Sequence, residues 1–175
     1  MPNISGVNEN IELVKKTYQK FLALGEGATG EDFRMTFDGY PNLEFLVQTT
    51  QLPPLEREPI EGFGPHGVQF VQQGRFKNAQ EVPVSFKEVI SGEAYKAIRE
   101  CVKSKKYLTV TLALLGESET KSNQHNTVVM EDTWISLEGV DLDVETAALV
   151  KPTGTLHVNW ITYLDPDVNQ LEWGL

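Results

Sequence analysis

One stretch limits what this chain can fold into more than any other, because it begins and ends as sheet and cannot be sheet in between. Glu44–Gln51 sets Phe45, Val47 and Thr49 against Glu44, Leu46, Gln48 and Thr50, the period-two pattern of a strand with two occupied faces. Pro53, Pro54 and Pro59 then lack the N–H that an interior ladder needs, and Gly62, Gly64, Pro65 and Gly67 follow. Extended character resumes over Gly67–Gln72, with Val68, Phe70 and Gln72 on one side, and over Glu81–Val89, with Val82, Val84 and Phe86 against Pro83, Ser85 and Lys87. The pattern predicts a sheet interrupted by a projecting arm of about fifteen residues, longer than an ordinary hairpin connection. Leu52, Leu55, Ile60 and Phe63 are side chains that a solvated loop has little use for, and the prolines lower the entropy lost when the arm is fixed. The arm either folds back over its own core or docks on another subunit, and the residues alone leave both open.

The 175 residues suffice for one domain with a sizeable core. A net charge of −10 argues against a surface that coats nucleic acid or anionic membrane, since both need clustered bases. The acid is concentrated late. From Tyr107 onward only Lys121 and Lys151 oppose eleven carboxylates, which predicts a strongly negative surface built from the C-terminal strands. A single cysteine, Cys101, excludes an intrachain disulfide. The N-terminus has no basic-then-apolar leader and no run approaches eighteen apolar residues, so the expectation is a soluble protein of the cytoplasm before assembly.

Taken in order, Asn8 or Asn10 caps a helix with Ile11, Val14, Tyr18, Phe21 and Leu22 at three- and four-residue steps and Gly25 as its stop. Its apolar stripe is expected to pack on the chain's own sheet. A short strand over Phe33–Phe37 precedes a turn at Asp38–Asn42. Past the arm, a second helix brings Tyr95, Ile98 and Val102 to one face, with Ser91 as cap, and Cys101 reads as a small core residue. Tyr107–Leu115 is a strand, followed by a polar surface loop, then one long strand or two over Thr127–Val140 and a further extended piece over Asp141–Val144. The last strand alternates Leu156, Val158 and Trp160 against His157, Asn159 and Ile161. Six to eight strands and two helices, without βαβ alternation or a short repeat, point to a mainly β fold, an antiparallel β-sandwich or barrel.

Chemistry is sparse. His66, His125 and His157 have none of the close spacing of metal motifs. The pairs Glu131/Asp132 and Asp141/Asp143 read as a solvated acidic edge, with Asp141 and Asp143 as the alternative cation ligands. No nucleophile elbow assembles serine, histidine and acid, and no phosphate-binding glycine motif occurs. The expectation is no enzyme and no cofactor. Trp134 and Trp160 read as core or interface anchors, and Trp173 lies beyond the last strand.

Thr49–Glu61 (TTQLPPLEREPIE) and Gly64–Val89, a proline-and-arginine turn before a glycine, a strand, a second Gly-x-Phe and an alternating strand, are followed by the helix over Gly92–Lys103. With LTVTLALL, WISLEGVDLDVE and GTLHVNWI, they resemble the tail tube protein of contractile-tailed bacteriophages, itself related to the type VI secretion tube protein. The similarity covers most of the chain after about Asp38 and leaves out the N-terminal helix, so residues 1–30 read as a helical extension and 31–175 as the tube-like barrel of a single overall domain. The resemblance implies a small barrel that forms hexameric rings, stacked into a hollow tube inside a sheath. Its implied partners are further copies of itself and the tail sheath, baseplate and tail terminator proteins. By the same resemblance, phage DNA would pass through a negatively lined lumen without sequence-specific binding, and the implied location is the virion tail. The arm would bridge rings, with Leu52, Pro53, Pro54, Leu55, Ile60 and Phe63 burying apolar surface and Glu56, Arg57 and Glu58 setting register. Arg57 would form a bidentate pair with a carboxylate across the seam. A baseplate or tube-initiator protein, a type VI tube protein and, from another class, a β-barrel ligand-binding module are the alternatives.

Overall fold

The computed structural model describes residues 6–25, 30–114, 127–140, 142–145 and 148–164. The chain divides into two compact units, Met1–Glu31 and Asp32–Leu175. The first contains helix α1, Gly6–Ala23. It starts ahead of both asparagines suggested as caps and closes where the Gly25 N–H donates to the Leu22 carbonyl at 3.2 Å. The apolar side chains recur as the periodicity predicts, yet Ile11, Val14, Tyr18, Phe21 and Leu22 are all more than half exposed.

The second unit carries nine described strands: β1 Phe33–Phe37, β2 Val47–Thr50, β3 Arg57–Phe63, β4 Gln69–Phe76, β5 Gln80–Phe86, β6 Leu108–Leu114, β7 Thr127–Leu137, β8 Thr153–Val158 and β9 Trp160–Leu164. Helix α2, Glu93–Ser104, lies between β5 and β6 in sequence. Seven strands form one antiparallel, nearly closed barrel-like sheet in the order β1-β6-β7-β8-β5-β2, with β9 also on β7. β3 and β4 form a separate two-stranded sheet.

The curvature comes from β7, a single strand that serves two neighbours in turn. It pairs with β6 and β9 over its first half and with β8 from Trp134 onward. Between the pairs Met130↔Val110 and Thr133↔Leu108, two residues of β7 oppose one of β6. Asp132 adopts φ +48° there, and such a bulge bends its strand and adds twist. Burial changes phase across it: Val128 and Met130 point inward before, Thr133 and Ile135 after, and Trp134 and Ser136 turn out. The facing bend at Asn159 does the same for the last strand. Asn159 Nδ2 donates to the Asp132 carbonyl at 2.8 Å, and its own carbonyl accepts from Asn78 Nδ2 at 2.9 Å. Ile161 is consequently buried while Trp160 is half exposed, reversing the strict alternation read from sequence.

The core is Met35, Phe37, Val82, Val84, Phe86, Val110, Leu112, Met130, Leu156 and Val158, with Ala94, Ile98 and Cys101 of α2 closing it. Tyr95 and Val102, expected on the packed face, stand about half exposed. Ser91 does not cap α2. Glu88 does so from the preceding turn, its carboxylate accepting from the Ala94 N–H at 3.1 Å and the Tyr95 N–H at 2.7 Å. Gly154 lies inside the sheet between Val84 and Leu137, and a Cβ there would come 2.4 Å from the Ser136 carbonyl oxygen.

Three further expectations change. Pro41 opens a 3-10 turn over Pro41–Leu46 that replaces the first half of the strand expected from Glu44, burying Leu43 and leaving Phe45 exposed. β4 does not rejoin the main sheet, which resumes at β5. Residues 142–145 are not strand, and Asp143 accepts the Glu145 N–H at 2.9 Å in a local turn. The expectations for the 116–126 loop with His125, for Asp141 and for Trp173 lie outside the described residues.

Candidate assembly surfaces

The arm is a β-hairpin. β3 and β4 pair with Ile60 opposite Gln72, Gly62 opposite Phe70 and Phe63 opposite Gln69. The tip closes through the Gly64 N–H to the Val68 carbonyl at 2.7 Å, with His66 at φ +61° and Gly67 at φ +78°. Proline spacing hid the strands, but in a two-stranded ribbon each strand has a free edge, where Pro59 costs no ladder bond. The Phe70 ring lies over Gly62, where a Cβ would meet it at 2.4 Å. Aromatic cover of this kind restores the packing that a glycine lacks.

At the base, Lys77 N–H donates to the Glu56 carbonyl at 3.1 Å, and Lys77 Nζ pairs with Glu56 Oε2 at 3.1 Å. Pro53 is buried and Pro54 half-buried, so this pair anchors the arm rather than presenting it. Arg57 is engaged within the hairpin: Nη1 donates to the Gly74 carbonyl at 3.3 Å and the guanidinium sits 5.9 Å from the Phe76 ring centroid. Glu58 is exposed. Leu52, Leu55, Ile60 and Phe63 are exposed as expected, Phe63 at 73%. The structure adds Val68, Phe70 and Val71 from the returning strand. The sequence pattern places Val68 and Phe70 on one side of an extended segment and leaves Val71 out, and it does not separate that segment from the main sheet. A lone two-stranded sheet with apolar residues on both faces is marginal in water, so burial against another surface would stabilise it.

A second apolar surface is an open groove of about 820 Å³ between α2 and residues 137–152, floored by Ile98 and Pro152 and bordered by Ile90, Tyr95, Val102, Leu142 and Val150. Ile90 is fully exposed and Leu142 79% exposed. Sequence gave no hint of it, because its two walls come from segments more than thirty residues apart.

The outward face of β5, β8 and β7 is polar, and it assembles what sequence spacing did not. His157 Nδ1 lies 3.2 Å from Glu81 Oε1 and Nε2 lies 3.0 Å from Ser136 Oγ. Trp134 stacks on the His157 ring at 3.8 Å. The partners stand in the order of an acid-histidine-serine relay, but on a sheet face where the Glu81 side chain is 73% exposed and water screens its charge. What the stack does physically is hold three adjacent strands in register through cross-strand contacts. Among the described residues no group of three His, Cys, Asp or Glu side chains gathers to hold a metal, and no helix is long and apolar enough to cross a membrane.

Solved structures share this overall fold. The anti-feeding prophage tube-terminating cap matches with a TM-score of 0.64 at 14% identity, covering 78% of this chain and 90% of that one. The fold is that of the contractile-tail tube proteins. A sheath/tube terminator of an extracellular contractile injection system, PVC, matches at 0.63 and 11% identity, over 78% of this chain and 96% of that one. A chain of the PVC sheath-tube complex matches at 0.64 and 12%, over 82% and 95%. No protein-family model and no curated protein matches the sequence.

Proposed function

We propose that this chain is a structural subunit of the inner tube of a contractile tail, assembling as hexameric rings that stack into a hollow conduit. The observation that carries this reading is the hairpin arm, whose apolar side chains stand exposed among the described residues, on a barrel of tube-protein fold. Leu52, Leu55, Ile60 and Phe63, joined by Val68, Phe70 and Val71, bury against the adjacent ring. Because Arg57 is already bonded inside the arm, its contribution is to stiffen the hairpin, and Glu58 is the charge left to set register at the seam. β1 and β2, which end the strand order, offer edges for joining neighbouring subunits within a ring. A lumen lined by the late carboxylates repels the DNA backbone and limits adhesion during ejection.

The test is electron microscopy of the purified protein and of an arm-less variant in which residues 57–76 are replaced by a two-residue turn. Glu56 and Lys77 are already hydrogen-bonded, so the splice leaves the barrel closed. The expected result is tubes of regular axial repeat for the full chain and rings without tubes for the variant. Tubes of unchanged repeat from the variant would refute the arm's role.

A second reading, the cap that ends such a tube, is favoured by the matches to a tube-terminating cap and to a terminator. It predicts single rings that bind the ends of preformed tubes and never stack on themselves.

A further inference from the structure

We propose that the groove beside α2 is the seat of the arm: the hairpin tip of a copy in one ring lies in the groove of a copy in the next, with its Glu61 face turned inward. The proposal rests on the reading of the chain as a tube subunit, and it names the surface on which the arm acts.

The pairing register gives the arm two unlike faces. Residues directly opposite each other share a face, so Glu61 with Val71 and Phe63 with Gln69 stand on one, and Ile60 with Gln72 and Gly62 with Phe70 on the other. The first face sets an exposed carboxylate beside two exposed apolar side chains, Phe63 and Val71. On the second, the Phe70 ring is laid over Gly62 and these register pairs hold no acid. Glu61 thus joins Glu58 as a free acid of the arm, and it is the one nearer the tip.

The groove answers the first face in shape and in charge. Its floor, Ile98 and Pro152, and its borders, Ile90, Tyr95 and Val102, are apolar, and its α2 rim carries Arg99 and Lys103. Spaced four apart, the two bases are neighbours on the helix surface, and neither has a carboxylate within ion-pair distance among the described residues. The two acids that line the groove are already engaged. Glu88 holds the first turn of α2, and Glu138 Oε2 accepts from Thr153 Oγ1 at 3.2 Å. Lys96, a turn earlier on the exposed side of α2, does not line the groove.

Seating Phe63 and Val71 on the apolar floor therefore leaves Glu61 to meet the α2 rim, where Arg99 offers a planar fork to a carboxylate and Lys103 a second positive charge. The lengths agree: residues 59–63 run about 14 Å at about 3.4 Å per residue, and α2 runs about 17 Å at about 1.5 Å per residue. A second copy is the occupant because ribbon and groove lie on different parts of the same chain and carry opposite free charges. Such a contact is heterologous, and it repeats from ring to ring without closing on itself, as a growing tube requires.

The test uses the full chain. Glu61→Arg should raise the protein concentration at which tubes form by about tenfold or more, with the urea midpoint unchanged because the side chain is exposed. Adding Arg99→Glu with Lys103→Glu should restore growth, since every seam then pairs exchanged charges, whereas adding Lys96→Glu, off the groove, should not. In parallel, Gln69→Cys and Ile90→Cys are placed on differently tagged copies, assembled together and oxidised, and a disulfide joining the two tags is expected. Undisturbed growth with Glu61→Arg, rescue by Lys96→Glu equal to rescue by the groove pair, or assembled tubes without the disulfide would overturn the groove as the seat while the arm-less variant still decides the arm's role. Neither tubes nor the disulfide from any of these proteins would overturn the tube reading as well.

Discussion

Gly154 sits where the barrel has least room, and Gly154→Ala gives a sharp test of how the sheet is held. β8 is paired on both sides there, to Val84 of β5 and Leu137 of β7. The added Cβ would meet the Ser136 carbonyl oxygen at 2.4 Å, about 1 Å inside ordinary contact, and that neighbour is backbone. Relief requires β7 and β8 to separate, which strains one or two ladder hydrogen bonds at about 1 kcal/mol each. Overpacking adds about 1–3 kcal/mol. The expected cost is therefore about 2–5 kcal/mol, a large share of the roughly 5–15 kcal/mol that holds a typical domain together.

Gly62→Ala is the matched control. Its Cβ would also come within 2.4 Å of a neighbour, but that neighbour is the end of the Phe70 ring, which is partly exposed and free to swing. The cost there should stay below about 1 kcal/mol, partly offset by the reduced freedom of the unfolded chain. Urea unfolding followed by tryptophan fluorescence separates the two. With a slope near 2 kcal/mol per molar, Gly154→Ala should lower the midpoint by about 1–2.5 M and Gly62→Ala by less than about 0.5 M. Equal midpoints for the two variants would refute the claim that β8 is clamped between fixed backbones.

Other outcomes follow from single groups. Thr133 is fully buried and its hydroxyl has no hydrogen-bond partner among the described residues, so Thr133→Val should raise stability by about 1 kcal/mol, read as a higher melting temperature. Glu88→Ala removes the carboxylate that holds the first turn of α2 and should cost about 1–2 kcal/mol, with amide exchange at Ala94 and Tyr95 accelerating ahead of the barrel strands. Ile60→Ser with Phe63→Ser should change barrel stability by no more than about 0.5 kcal/mol, because both side chains are exposed, yet abolish tube growth in electron micrographs.

The strands legible in sequence were those with one face in the core, since burying one face enforces alternation. Val82, Val84 and Phe86 are buried in turn as read, and Phe33–Phe37 is a strand as read. The misses share a cause: side-chain direction changed where the backbone left ideal pleat. The bulge at Asp132 and the bend at Asn159 each shift phase by one residue, and nothing in their local sequence separates Trp160 pointing in from Trp160 pointing out. Sequence marks the arm as an interruption but not as a hairpin, because Pro59 reads as a strand breaker until the strand is known to have a free edge. The relay of Glu81, His157 and Ser136 comes from three strands, so only the pairing register could reveal it.

Core and arm are kept on different elements in this chain, and that has a consequence for the order of events. The barrel closes on Met35, Phe86, Met130 and Leu156 without using one residue of β3 or β4. Folding therefore need not wait for assembly, whereas the hairpin, held alone by its ladder, the Glu56–Lys77 pair and the Phe70 ring, gains its full stability when its faces are covered. In the tube proposed above, ordering of the arm and docking of the next ring are one coupled step, with the ordering cost drawn from the contact energy. Arg57 acts on that cost directly: by bonding Gly74 and lying over Phe76 it fixes the hairpin in advance, so less freedom is lost at the seam. On this logic Arg57→Ala should slow tube growth through a looser arm even though no charge on the neighbouring ring has lost a partner, and the defect should be independent of salt. A strong salt dependence in the wild-type growth rate that disappears in Arg57→Ala would instead place the guanidinium across the interface.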